Sequence, residues 1–212
     1  MRRDHRRFNN RLNALRDRIA EWAAQHQAAE LERRVLHALG ERPRDTDRVQ
    51  MAVAYALVVR PPGQSSLIEA WIEAHPRGGS RMERAVRDAW RTCTYRLLSV
   101  TEVRPGEAFV AEDALSGERL TIQEGTATQD TLLVGDWLLG VVFHVDGEPL
   151  MEGTAELLAP AAVPPVFAVM SALGEGDGHG AAWAALTAVH EAYTANPDGQ
   201  TDEATDLGTL RG

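Results

Sequence analysis

From Phe8 onward the apolar positions fall at Leu12, Leu15, Ile19 and Trp22, a four-three-four-three spacing that places them on one helical face. The stripe continues through Ala24, Ala28, Leu31, Val35 and Leu39 with the drift of a straight helix of 3.6 residues per turn. Gly40, with Pro43 behind it, supplies the stop. The pattern predicts one long packed helix, and Phe8, Leu12, Leu15 and Ile19 also reach the shortest length at which two helices form a coiled-coil dimer. Asp45 or Asp47 then offers a cap to a second helix, RVQMAVAYALVV, whose near-continuous apolar run predicts burial on most sides. Two Ser-x-x-Glu boxes, Ser66 with Glu69 and Ser80 with Glu83, each start a further helix. The first carries Leu67, Ile68, Trp71 and Ile72 and stops at Pro76; the second puts Met82, Val86, Ala89, Trp90 and Cys93 on one face.

At Thr94 the period changes from 3.6 to 2. YRLLSVTEV, EAFVAED, ERLTIQE, DWLLGVVFHVDG and EPLMEGTAE each read as a strand with a buried face. Arg104-Pro105-Gly106, Ser116-Gly117 and Asp146-Gly147 are turn chemistry between them. Gly135-Asp136 fits the start of a strand, the glycine giving backbone freedom and the aspartate holding the turn. Trp137, Leu139, Val141 and Phe143 alternate with Leu138, Gly140, Val142 and His144, a composition that predicts a central strand covered on both faces. After a Pro-rich connection, Val166–Leu173 and Ala181–Tyr193 read as helices around GEGDGHG. The expected fold class is α+β. A helical region (1–94) precedes a small five-stranded antiparallel sheet or barrel (95–158), then C-terminal helices packing back (159–195) and a disordered acidic tail (196–212).

Composition narrows the function more by exclusion than by indication. All 22 basic residues are arginine, so Schiff-base chemistry, a Ser-Lys pair and a Gly-Lys-Ser/Thr phosphate loop are ruled out for want of an amine. Residues 1–95 hold 18 arginines against 12 carboxylates, a balance of +6, and the remainder holds 4 against 19, a balance of −15. Such asymmetry points to association, either of the two ends, with a second subunit or with nucleic acid at the basic end. The single cysteine, Cys93, excludes intramolecular disulfides and multi-cysteine zinc sites and fits a reducing, cytoplasmic setting. Its spacing from Trp90 reads as a buried small hydrophobe. The basic N-terminus lacks an apolar segment behind it, so secretion is not expected. The most apolar run, Leu157 to Leu173, is broken by Pro160, Pro164 and Pro165 and falls short of the roughly 20 residues that cross a bilayer.

Tyr95–Val103, the Glu112-Asp113-Ala-Leu-Ser-Gly-Glu118 hairpin and Leu133-Val-Gly-Asp136 together resemble a β-module of uncharacterised bacterial proteins, in which helices similar to residues 65–92 come first. Many of those relatives are similar to SEC-C proteins in carrying a cysteine-rich metal-binding tail. This chain lacks that cysteine cluster, so the resemblance implies a bacterial cytoplasmic protein and carries over neither zinc nor any catalytic or binding residue.

Candidate chemistry is sparse. His190-Glu191 begins a HExxH pattern, but position 194 is threonine, where the second zinc ligand belongs. GEGDGHG departs from the dinucleotide-binding register at His179, and Asp177 with His179 makes two ligands at most. Glu112 and Asp113 point to opposite faces of a strand, so they cannot act as an acid–base pair on one substrate. Asp113 is expected to hold its hairpin, and His144 to be a satisfied structural histidine. The strongest non-structural candidate is the basic strip Arg2, Arg3, Arg6, Arg7 and Arg11, at helical spacing suited to phosphate or to a protein partner. No cofactor or metal is expected. The leading expectation is a non-enzymatic protein-interaction module, acting through a protein partner or self-association, with nucleic-acid binding through the N-terminal arginines as the alternative. An enzyme built from residues that only the fold brings together, such as His144, Asp113 and Glu102, is the third possibility.

Overall fold

The change of period at Thr94 is also where the chain divides into two units, Met1–Cys93 and Thr94–Gly212. The computed structural model describes residues 2–40, 46–76, 80–91, 93–123, 127–145, 147–151, 155–173 and 178–195, without the side chains of 2–11, 46–48, 81, 82, 86, 127, 130, 145 and 178–180.

The first unit is helical: α1 (Arg2–His26), α2 (Ala28–Leu39), α3 (Thr46–Val58), α4 (Leu67–Ala74) and α5 (Arg81–Arg91). Leu12, Leu15, Ile19 and Ala23 of α1 are buried, and α1 packs on α3, α4 and α5. Those positions therefore serve the chain's own core, and the expected use of Leu12, Leu15 and Ile19 as a coiled-coil seam is corrected. So is the single long helix. Gln27 breaks it with φ −138° and ψ 33°, although Gln27 N–H still donates to the Ala23 carbonyl and Leu31 N–H to the Gln27 carbonyl. The reason lies in packing: α1 rests on three helices, whereas α2 packs chiefly along α3, and one straight rod cannot follow both directions. Ala24 and Ala28, placed in the apolar stripe by spacing alone, are exposed.

Ala52 and the run Ala54–Val59 are buried, as a nearly all-apolar α3 requires. The helix starts at Thr46, so Asp47 lies inside its first turn, and Asp45 is outside the described residues. The Ser66–Glu69 box forms completely: Glu69 N–H donates to Ser66 Oγ at 3.1 Å and Ser66 N–H to Glu69 Oε2 at 2.8 Å. At the second box Glu83 N–H donates to Ser80 Oγ at 3.2 Å. Cys93 is buried beyond the end of α5, its thiol donating to the Trp90 carbonyl at 2.9 Å.

The second unit is built on an antiparallel sheet of β1 (Thr94–Arg104), β2 (Ala108–Asp113), β3 (Arg119–Ile122), β4 (Trp137–Val145), β5 (Glu148–Met151) and β6 (Glu156–Leu158). The order is β3-β2-β1-β4-β5, with β6 also on β4. The sheet curls as a half-barrel that brings β3 near β5. The EPLMEGTAE segment, read as one strand, holds β5 and only the first residue of β6: β5 pairs with Val142–Val145 and β6 with Trp137–Leu139. Gly140 lies between these pairings. A Cβ there would meet Met151 Cε at 2.6 Å and the Ala155 Cα at 3.1 Å, so glycine is what lets the β5–β6 segment pass so close.

Both faces of β4 are covered from Trp137 to Phe143, as their composition predicts. Leu138 and Val142 join Leu98, Val100, Phe109, Ala111, Leu120, Ile122 and Leu132 in one core. On the other face Leu97 pairs with Leu139 and Tyr95 with Val141, and helix α8 packs against β1. A four-residue helix, α6 (Ala127–Asp130), occupies what reads as loop. After a 3₁₀ turn (Pro160–Ala162), α7 (Val163–Leu173) carries Pro164 and Pro165 in its first turn, where a missing N–H costs nothing. Helix α8 (Gly178–Ala195) takes in Gly178-His179-Gly180 of the glycine-rich stretch. The expected tail, 196–212, is outside the described residues.

Candidate functional site

Arg2, Arg3, Arg6, Arg7 and Arg11 all fall in the α1 backbone, and their side chains are outside those described. Toward its C-terminus the same helix leads into an arrangement of rings that spacing did not single out. Trp22 stacks on His26 with centroids 5.4 Å apart, Trp71 stacks on His75 at 4.8 Å, and Trp22 meets His75 edge-on at 6.1 Å. Each histidine Nδ1 lies 2.9 Å from the carbonyl oxygen of the tryptophan four residues before it. A carbonyl only accepts, so Nδ1 carries the proton in both rings. Two arginines attend Trp71, Arg87 at 5.0 Å and Arg18 at 5.9 Å from the ring centroid. The sequence signal is a repeated W-x-x-x-H, WAAQH and WIEAH. That the two copies meet is a tertiary fact.

Two buried arginines of this unit close helix C-termini. The Arg34 side chain, 2% exposed, donates to the Val59 carbonyl at 2.6 Å, the Ser65 carbonyl at 2.9 Å and Glu30 Oε1 at 2.6 Å. Burial pulls its guanidinium below the ordinary value, with Glu30 opposing. Arg33's hydrogen bonds, against partial burial and with help from Arg34, hold the Glu30 carboxyl low. Arg87 donates to the carbonyls of Ile72 and His75 at the end of α4. These contacts use the planar fork that lysine lacks.

In the second unit Asp113 serves its hairpin, as expected. Its Oδ1 accepts from the N–H groups of Leu115 and Ser116 at 2.8 and 3.2 Å, and its Oδ2 from Arg96 at 3.1 Å. Arg96 also reaches Glu118. Glu102 pairs with Arg104 and Arg119. His144 is exposed rather than enclosed in the sheet, which corrects its reading as a structural histidine. These three do not converge. Asp113 lies opposite Leu98, Glu102 opposite Val110, and Val142 opposite Thr94, which sets Asp113 and His144 about 20 Å apart along the strand direction at ~3.3 Å per residue. Glu112 is partly exposed and Asp113 buried, in keeping with opposite faces. His190, whose carbonyl accepts from Thr194 Oγ1, lies in α8. Asp177 is outside the described residues, as is the His179 side chain. Among the described residues no three His, Cys, Asp or Glu side chains are grouped to hold a metal ion, and no helix is long and apolar enough to cross a membrane.

One surface feature stands apart from these contacts. Leu133 and Val134 are 68% and 65% exposed, yet their turn is held at both ends. Leu133 N–H donates to Asp136 Oδ2 at 2.7 Å, Gly135 N–H to the Val100 carbonyl at 2.9 Å, and Val100 N–H to the Asp136 carbonyl at 2.9 Å. Gly135 takes φ 96° to close it. The sequence assigns the turn but does not single out its apolar pair, because an adjacent Leu-Val in a loop carries no signal of whether it faces core or water.

No family model, curated protein or solved structure matches the chain.

Proposed function

We propose that this is a bacterial cytoplasmic protein-interaction module, non-enzymatic, which works by presenting the Leu133–Val134 turn to a protein partner or to a second copy of itself. The observation that carries the reading is the exposure of two adjacent large apolar side chains on a backbone held by four hydrogen bonds with β1 and within the turn. A fixed apolar projection loses little conformational entropy on docking, which is what concentrates binding energy in a few residues. The surrounding unit, from Thr94 onward, carries 4 arginines against 19 carboxylates, so the matching surface is basic around an apolar recess. The resemblance of the hairpin and turn to bacterial β-modules supports the setting, and the lone, buried Cys93 fits a reducing compartment.

The test is sedimentation and affinity capture from the host with the intact chain and with a Leu133→Ser, Val134→Ser double variant. The reading expects self-association or a captured partner that the double variant loses while its circular dichroism is unchanged. A monomer that captures nothing, or a partner held equally by the variant, sinks it.

A further inference from the structure

The W-x-x-x-H segments end α1 and α4, and their rings form a graded array: Trp71 is buried, Trp22 is half-buried, and His26 and His75 are exposed. We propose that the outer end of this array is a stacking site for unpaired nucleobases, with phosphate contacts supplied by arginine on α1, beginning at Arg18. The proposal concerns the first unit and stands apart from the Leu133–Val134 reading.

Four observations carry it. Exposed histidine rings ordinarily turn freely, but here both are pinned through Nδ1–H to the preceding turn's carbonyl. Their faces are therefore fixed before a ligand arrives, and Nε2 is left to meet a base edge. The buried end is closed, since His75 stacks on Trp71 and Arg87 lies over the same indole, so a further planar group can add only at the open side. Arg18, one turn before Trp22, has its side chain 60% exposed, lies 5.9 Å from the Trp71 ring centroid and meets Glu83 in a long 3.5 Å contact. Such an exposed pair is weak enough for a phosphate to replace it. Finally, residues 1–93 hold 18 arginines against 12 carboxylates. Aromatic rings beside a basic track are how single strands are held without sequence preference. A duplex hides its base faces and is disfavoured.

The chemistry recognised is a base joined to phosphate, and both a single strand and a free nucleotide offer it. The full chain is titrated at low salt with a labelled single-stranded oligonucleotide of about 12 nucleotides, within the span such grooves bind, and separately with adenosine monophosphate. Binding of the strand that weakens with salt places the site on a chain; binding of the mononucleotide alone places it on free nucleotide. In either case His26→Ala and Trp22→Ala should each weaken binding on the order of tenfold, as loss of one stacking partner does. Arg18→Ala should lower the salt slope for the strand by about one. His26 is exposed, so its variant reports on binding even if Trp22→Ala loosens the helices. No binding of either ligand, equal competition by duplex, or binding indifferent to both ring variants overturns the proposal.

Discussion

The guanidinium of Arg34 donates to the main-chain carbonyl of Val59 at 2.6 Å, joining two helices across 25 residues of chain. Because the same group also serves Ser65 and Glu30, its removal takes a donor from two main-chain carbonyls, while Glu30 keeps its hydrogen bonds from Arg33. Arg34→Ala is expected to cost on the order of 2–4 kcal/mol in urea denaturation, the loss of two hydrogen bonds from a charged donor to main-chain carbonyls, one of them buried. Arg34→Lys should recover only part, since one ammonium cannot reach three acceptors as a planar fork does.

Asp113 ties two backbone amides and Arg96 into one hairpin. Asp113→Ala is expected to lower stability by about 2–3 kcal/mol, since it unpins two backbone amides of the turn and leaves Arg96 with Glu118 as its remaining carboxylate. Asp113→Asn keeps one acceptor oxygen for the turn and should cost less than half as much. Glu118→Ala, on the exposed limb of the same cluster, should cost under about 1 kcal/mol. Thermal melts of the three variants give the order directly.

Acid sensitivity follows from Glu69. Partial burial raises its carboxyl, but the hydrogen bonds from Arg60 and Ser66 outweigh that and hold it below the ordinary glutamate value of 4.5. A carboxyl depressed in the folded state contributes stability that is present above its unfolded value and lost as pH falls through the folded value. Wild type should therefore exceed Glu69→Gln by about 1 kcal/mol at neutral pH, a figure kept small because the group is partly solvated. The two curves should converge once the pH drops well below 4.5. Urea midpoints across the acid range check this; a constant gap at all pH values would remove the charge from the account.

Gly140 gives a steric prediction. An added methyl collides with the Met151 side chain and with the Ala155 backbone, so Gly140→Ala should destabilise by about 1–3 kcal/mol, as overpacking does. Combining it with Met151→Ala should not restore stability, because the Ala155 main chain stays in the way. Full recovery in the double variant would show that the side-chain collision alone sets the cost.

How much of this was written in the sequence depends on how far apart the interacting residues lie. The Ser66–Glu69 box, the Pro105-Gly106 turn, closed by Glu107 N–H on the Arg104 carbonyl with Gly106 at φ 71°, and the alternation from Trp137 to Phe143 each involve a few consecutive residues. Local hydrogen bonding and a fixed period settle them, so helices, strands and the α+β class were legible. Packing decided the rest. The apolar stripe through Gln27 is continuous in spacing, and only the competing directions of α1 and α2 break the helix there. Nothing around Gly140 tells that the chain returns across it as two short strands. Leu133-Val134 stands in a stretch that reads as loop, and only the fold shows that both large side chains face water. The two W-x-x-x-H segments are visible as a repeat, but their meeting, like the reach of Arg34 to carbonyls 25 and 31 residues away, depends on which helix ends the core brings together. Hydrophobic period says which face is buried and is silent on what that face is buried against.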